Sequence, residues 1–120
     1  MILNMPKAEL SITLLHMSNM RKEVRKGFKR TYSKDEYKEK MQLFDDAKNV
    51  LENALEDSEE EQDLVAIHLT MPELEFLNAF LEWYLSKLTT IDTVGSDGKK
   101  QIELLNNTCQ ELKNAVVAYA

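Results

Sequence analysis

The chain has 120 residues, of which 43% are apolar and 30% are charged, and its formal net charge at pH 7 is −6. With only three Gly and two Pro it holds little turn-forming material for a β-sandwich or barrel, so the composition favours helices. Its length is that of one domain, and we assign residues 1–120 to a single helical domain.

Signals for membrane insertion or secretion are missing from the sequence. No apolar run approaches the roughly 18 residues of a membrane span. The first residues lack the basic region and long apolar stretch of a signal peptide. The lone Cys109 cannot form an intramolecular disulfide. We therefore expect a cytoplasmic protein that makes no membrane contact.

The first amphipathic pattern predicts a long helix. Between residues 10 and 28, apolar side chains recur at steps of three and four, which places them on one helix face. We predict a helix over about 5–30, with Asn4 as its N-cap. Pro6 then lies in the first turn, where its missing N–H would have had no intrahelical partner.

A second helical pattern follows after a short connection. Apolar residues recur at helical steps from Tyr37 to Leu55. Ser33 is suited to cap this helix, and Glu36 stands three residues later, as in a capping box. Because the connection is short, the two helices are expected to form an antiparallel hairpin.

Residues 64–69, LVAIHL, are β-branched at Val65 and Ile67, and they are predicted to form either a short strand or an extended link. The N-terminal segment LNMPKAEL is similar to LTMPELEF at residues 69–76, and two explanations stay open. Either two helices begin with the same start signal, or the segments belong to a repeat in which residues 1–4 and 64–69 pair as a two-stranded ribbon that the helices support.

Two further helices complete the predicted fold. Thr70 and Glu73 form a second capping box, so a third helix is expected over about 71–89. The Gly-containing segment 89–98 is expected to be a loop. The fourth helix carries an a/d seam of Ile102, Leu105, Cys109, Leu112, Val116 and Tyr119. The sequence thus predicts a mainly α fold, a four-helix antiparallel bundle of two helical hairpins, to which the short ribbon is added if residues 1–4 and 64–69 pair.

Patterns typical of catalysis or cofactor binding are missing as well. His16 and His68 stand alone, without His or Cys at metal-ligand spacing. Cys109 falls on the predicted seam, where a small apolar role is more usual than a nucleophilic one. There is no glycine-rich phosphate loop. We therefore expect no enzyme activity, no metal, no cofactor and no small-molecule substrate.

Two charged patches are expected at opposite ends of the first hairpin. The basic stretch RKEVRKGFKR ends the first helix, where cations also oppose the helix dipole. The acidic stretch EDSEEEQD ends the second helix. The candidate binding residues of these patches are Arg21, Lys22, Arg25, Lys26, Lys29, Arg30, Glu56, Asp57, Glu59, Glu60, Glu61 and Asp63.

The third helix carries more apolar surface than one packing face requires. Leucines form one stripe along it and aromatic residues form a second, whereas an ordinary surface helix shows an apolar stripe of about 100°. Either this helix is the centre of the bundle, or its aromatic stripe contacts a protein partner or a second copy of the chain. The candidate partner-binding residues are Phe76, Phe80, Trp83 and Tyr84.

These features favour a non-enzymatic protein-binding module, a small acidic helical protein that modulates or inhibits a larger protein partner, as inhibitors encoded by phages do. The partner is expected to be another protein or, in a homodimer, a second copy. Two alternatives stay open: a nucleic-acid-associated accessory protein that uses residues 21–30, and a self-assembling structural homo-oligomer. The negative net charge weakens the nucleic-acid alternative.

Overall fold

The computed structural model describes residues 2–61, 63–88 and 96–119. In these segments the chain forms four helices and two strands. In chain order they are β1 (Ile2–Pro6), α1 (Lys7–Thr31), α2 (Lys34–Asp57), β2 (Leu64–His68), α3 (Met71–Leu88) and α4 (Ser96–Tyr119). The expected mainly α bundle with a small β-ribbon is confirmed.

Each helix packs most extensively against two others, so that the four helices surround one core. Helix α1 contacts α2 and α4, and α3 contacts the same two helices. The core between them contains Phe44, Leu51, Leu81, Leu105 and Leu112, none of which is exposed to solvent. Burying such side chains contributes roughly 1.5–3 kcal/mol each, which makes this core the main source of the fold's stability.

The first hairpin is antiparallel, as the short connection predicts. Arg21 on α1 forms two hydrogen bonds of 2.9 Å with Asp45 on α2, and further along α1 Arg25 donates to the hydroxyl of Tyr37, which lies earlier on α2. The paired Arg21 guanidinium lowers the pKa of Asp45 below its ordinary value. This bidentate pair holds the middle of the two helices in register.

The ribbon is antiparallel, with Leu3 opposite Ile67 and Met5 opposite Val65. Burial alternates along β2, and Met5, Val65 and Ile67 are at most 3% exposed. One face of the ribbon therefore packs on the helices, which is the support that a two-stranded sheet requires. The predicted pairing of the N-terminal residues with the segment after α2 is confirmed.

The predicted N-cap of the first helix is wrong. Asn4 lies within β1, opposite Ala66, and α1 begins only at Lys7. The cap position is Pro6, which provides no side-chain hydrogen bond; instead the Lys7 backbone N–H donates to the carbonyl of Asp63 at 2.8 Å. Backbone pairing with β2 satisfies the groups of this segment, so a local cap at Asn4 does not form.

The two capping predictions that depend on neighbouring residues alone are confirmed. Ser33 Oγ accepts a hydrogen bond from the Glu36 backbone N–H. At the start of α3, Glu73 N–H donates to Thr70 Oγ1 at 3.3 Å, and Thr70 N–H donates to Glu73 Oε1 at 2.8 Å. This reciprocal box satisfies two backbone donors at the helix start.

Removing the α3 cap is expected to weaken the fold measurably. Thr70→Ala leaves the Glu73 N–H without its partner, so the free energy of unfolding should fall by about 1 kcal/mol. Urea denaturation followed by circular dichroism measures the change. Ser18→Ala, at an exposed position on α1, serves as the matched control and should stay within about 0.5 kcal/mol of wild type. An equal loss in both variants would contradict a role for the cap.

The buried side of α4 is broader than the predicted seam. Leu105 and Leu112 are fully buried as predicted, but so is Thr108, and Cys109 and Val116 are only half-buried. The physical reason is that α4 packs against both α1 and α3, whereas an a/d seam describes contact with a single helix. The side chain of Tyr119 lies outside the described residues.

The predicted loop 89–98 is wrong at its C-terminal end. Its last three residues, 96–98, are the first turn of α4, and the segment 89–95 lies outside the described residues. Within the segments that the structure describes, no helix is both long and apolar enough to cross a membrane.

Candidate functional site

The aromatic residues of α3 divide between the core and the surface. Phe80 and Tyr84 are each 6% exposed, Phe76 is half-buried, and Trp83 is 40% exposed. The Phe80 ring packs edge-to-face on Phe44, with 5.7 Å between centroids, and stacks on Tyr84 at 5.8 Å. The aromatic stripe therefore contributes to the core at Phe80 and Tyr84 and reaches the surface at Trp83, and contact of this surface with a partner stays a prediction.

Tyr84 faces inward and joins three helices. Its hydroxyl lies 2.6 Å from Nδ1 of His16, and Nε2 of the same ring lies 2.8 Å from Oε1 of Gln101. Because the amide oxygen accepts, Nε2 donates to it, and the His16 ring links the Tyr84 hydroxyl to Gln101. Burial raises the pKa of Tyr84 above its ordinary value. We therefore leave Tyr84 out of the candidate surface.

A groove opens between the last turns of α1 and the exposed side of α3. Its volume is about 370 Å³. Aromatic side chains from both helices line it: Phe28, Tyr32, Phe76, Phe80 and Trp83. Phe28 connects the two walls, since its ring is 5.7 Å from that of Tyr32 and 6.2 Å from that of Phe76, both edge-to-face. Such ring pairs add about 0.5–1.5 kcal/mol each, so the walls are held firmly.

Gly27 leaves the α1 wall of the groove open. A Cβ added at this position would meet no atom within 4 Å. Glycine inside a helix is less stable than alanine by about 0.5–1 kcal/mol. Helix α1 is therefore less stable with Gly27 than it would be with alanine at this position. In return, the space that a side chain would fill stays open in the groove.

Two lysine ammonium groups lie over aromatic rings of the groove. Lys40 Nζ is 5.6 Å from the centre of the Tyr32 ring, and Lys87 Nζ is 4.9 Å from the centre of the Trp83 ring. Glu23 and Lys40 are the charged residues among those that line the groove. The aromatic lining thus has positive charge near both ends.

Some residues of the basic patch make contacts between α1 and α2 within the first hairpin. Arg21 pairs with Asp45, Arg25 donates to the Tyr37 hydroxyl, and the Lys29 ammonium lies 5.5 Å over the Tyr37 ring. The other three members of the patch are exposed on α1: Lys22, Lys26 and Arg30. The six predicted residues are therefore neighbours on one helix, but half of them serve the α1–α2 interface.

The acidic patch lies beside the start of α1, as the antiparallel hairpin predicts. Lys7 contacts it twice: its Nζ donates to the Glu59 carbonyl at 3.0 Å, and its backbone N–H donates to that of Asp63. Glu56, Asp57, Glu60 and Glu61 are exposed. Helix α1 has 25 residues, or roughly 37 Å at 1.5 Å per residue, so the two patches lie well beyond a Debye length of each other.

A buried acid pair between α1 and α4 is a feature that sequence reasoning missed. Glu9 is only 5% exposed, and Thr108 Oγ1 donates to its Oε2 at 3.5 Å. Burial, and then the neighbouring Glu9 carboxylate, raise the pKa of Glu111 to about 7. No local pattern signals this pair, because its two members are about a hundred positions apart.

A second depression, of about 450 Å³, lies between α2 and β2. Its lining includes the polar residues Asn53, Asp57, Ser58 and His68 beside the apolar Val50 and Val65. Phe, Tyr and Trp are missing from this lining, which distinguishes it from the groove. We therefore regard the groove as the stronger candidate for recognition of another molecule.

Comparison of the chain with protein-family models, with curated proteins and with solved structures found no match. Within residues 2–61, 63–88 and 96–119, no three His, Cys, Asp or Glu side chains are grouped as a metal site requires. The geometry of the groove therefore provides the basis for a functional proposal.

Proposed function

We propose that the protein is a cytoplasmic, non-catalytic protein-binding module that modulates or inhibits a larger partner, and that the partner inserts a segment into the groove between α1 and α3. The observation that carries the proposal is the exposed side of Trp83, which continues an aromatic lining that residues 2–61, 63–88 and 96–119 leave uncovered. Trp and Tyr are enriched among residues that dominate binding energy.

The shape of the groove supports recognition of a protein segment. Its floor is formed by Val24 and Phe80, which are nearly buried, whereas Trp83 and Gly27 border the opening. A side chain that enters from a partner would displace water from the rings without moving the core. Interface hot spots have this arrangement of a rigid apolar pocket with a more exposed rim.

Variants that fill or charge the groove should abolish partner binding and keep the fold. Gly27→Phe places a ring where an added Cβ meets no atom, and Trp83→Glu puts a carboxylate on the apolar rim. Immobilised protein is used to capture a partner from a lysate of the source organism. The captured protein is then purified and titrated against each variant, and we expect both to bind at least about tenfold more weakly than wild type, or 1.4 kcal/mol.

Two control variants separate groove effects from general effects. Gly27→Ala changes the same backbone position but fills little space, and Ser18→Glu adds a carboxylate at an exposed position of α1 outside the groove. Both should bind the purified partner as wild type does, and circular dichroism should show cooperative melting for all four proteins. Equal affinity of all variants, or failure to capture any protein, would contradict the proposal.

The groove variants also help to distinguish the proposed function from the nucleic-acid alternative. That alternative predicts salt-sensitive binding of DNA or RNA that disappears when Lys22, Lys26 and Arg30 become Glu. Groove variants that retain such binding would favour a nucleic-acid function over the proposed one.

A further inference from the structure

Polar side chains connect α4 to α1 at two places. Nε2 of His16 on α1 lies 2.8 Å from Oε1 of Gln101 on α4. Two turns further along α4, Thr108 Oγ1 donates to Oε2 of Glu9 at 3.5 Å. Glu111 follows Thr108 by one turn, so its carboxyl group lies on the same side of α4. The carboxyl groups of Glu9 and Glu111 therefore meet between the two helices.

The contact of α4 with α3 is more extensive than its contact with α1 and does not involve this acid pair. It includes the ion pair between Lys113 on α4 and Glu82 on α3, whose Nζ and Oε1 atoms are 3.5 Å apart. A change in charge on the α1 side of α4 can therefore weaken one contact of this helix and leave the other in place.

Buried oxygen atoms on the α1 side have few partners. Glu9 is 5% exposed, and Thr13, which follows it by one turn on the buried side of α1, is 1% exposed. Within the described residues, Thr13 Oγ1 and Glu111 Oε2 are buried and have no hydrogen-bond partner. A buried polar atom without a partner destabilises the fold. The interface therefore provides little to compensate for a second negative charge.

Neighbouring cations do not provide that compensation. Lys7, two residues before Glu9, directs its Nζ to a carbonyl of the acidic patch, and Lys113, two residues after Glu111, pairs with α3. Burial, and then the Glu9 carboxylate, raise the pKa of Glu111 to about 7. The two carboxyl groups therefore hold one proton below this pH and lose it above, and in the ionised pair like charges face each other in a buried site.

We propose that Glu9 and Glu111 form a pH-sensitive switch that releases α4 from α1 while α3 still holds it. When the pair holds a proton, α4 packs on both helices. When both carboxyl groups are ionised, opening of the α1–α4 interface lets water reach them and relieves their repulsion. The groove is lined by α1 residues from Glu23 to Thr31, more than three turns from Glu9, so the switch acts independently of the proposed function.

Amide hydrogen exchange of the full chain, followed by mass spectrometry at pH 5 and pH 8, tests the switch. After correction for the intrinsic pH dependence of exchange, the equilibrium constant for opening of α4 should be at least about tenfold larger at pH 8, as expected for one pKa unit. At pH 8 the amides of α4 should also open more readily than those of α2.

Three variants assign the effect to the pair. Glu111→Gln removes the titrating group and should abolish the rise between pH 5 and pH 8. Glu9→Gln removes the neighbouring charge but leaves Glu111 to titrate, so it should show a smaller rise. Glu103→Gln, at an exposed position of α4, is the control and should behave as wild type. An opening constant that is independent of pH, a rise that persists in Glu111→Gln, or equal opening of α4 and α2 at pH 8 would overturn the proposal.

Discussion

Phe80→Ala is expected to lower the free energy of unfolding by about 3–5 kcal/mol, whereas Trp83→Ala should change it by less than about 1 kcal/mol. The two residues lie one turn apart on α3, yet Phe80 is 6% exposed and Trp83 is 40% exposed. Removing the Phe80 ring leaves a cavity beside Phe44 and Tyr84, which cannot close without moving two helices.

Urea denaturation followed by circular dichroism measures both changes and does not depend on tryptophan fluorescence. Binding of the purified partner provides the second readout: Trp83→Ala should weaken it although the fold is intact. Similar stability losses for the two variants would show that Trp83 is also a core residue. A small loss for both would mean that the whole stripe is surface, and the groove would then lack a rigid floor.

Raising the pH from about 4.5 to about 7 is expected to destabilise the protein through the acid pair on α1 and α4. The ordinary pKa of Glu111 is about 4.5, and in the fold burial and the charge of Glu9 raise this pKa to about 7. Between these values the folded protein holds a proton that the unfolded chain has lost. The free energy of unfolding therefore falls as the pH rises through this window, and the loss is complete above it.

The expected loss is about 1–2 kcal/mol, after allowance for solvent screening of a partly exposed carboxyl group. Glu111→Gln removes the titrating group, so the variant should match wild type near pH 4.5 and exceed its stability by that amount at pH 8. Glu103→Gln, at an exposed position of the same helix, is the control and should follow the wild-type curve. Parallel curves for wild type and Glu111→Gln would contradict the coupling.

The pair Arg21–Asp45 affects the free energy of unfolding at lower pH than Glu111 does. Hydrogen bonding to the guanidinium lowers the pKa of Asp45, so the stability it adds is present at neutral pH and is lost only as the pH falls below the ordinary value of 3.8. The difference between wild type and Glu111→Gln above pH 4.5 therefore reports on the acid pair alone.

Local signals predicted the second and third helix starts correctly because capping depends on residues three positions apart. Ser33 Oγ accepts from the Glu36 N–H, and Thr70 and Glu73 form both hydrogen bonds of a capping box. The N-cap at Asn4 failed for the opposite reason. Its segment pairs with a strand more than sixty positions away, and that pairing outweighs a single side-chain hydrogen bond.

The candidate site was only partly visible in the sequence. Two apolar faces on α3 are apparent from its composition, and Phe76, Phe80 and Trp83 do line the groove. The opposite wall was not foreseen, because Gly27 and Phe28 belong to the end of another helix. Periodicity places side chains on a face of their own helix, but it carries no information about which helix that face meets.

Periodicity, caps and connection length are enough to predict the four helices, the antiparallel first hairpin and the excess of apolar surface on α3. Tertiary packing is needed to place Phe80 against Phe44 while Trp83 stays exposed, and to bring Glu9 to Glu111. These outcomes depend on how whole helices are oriented around a shared core, which no short stretch of the chain specifies.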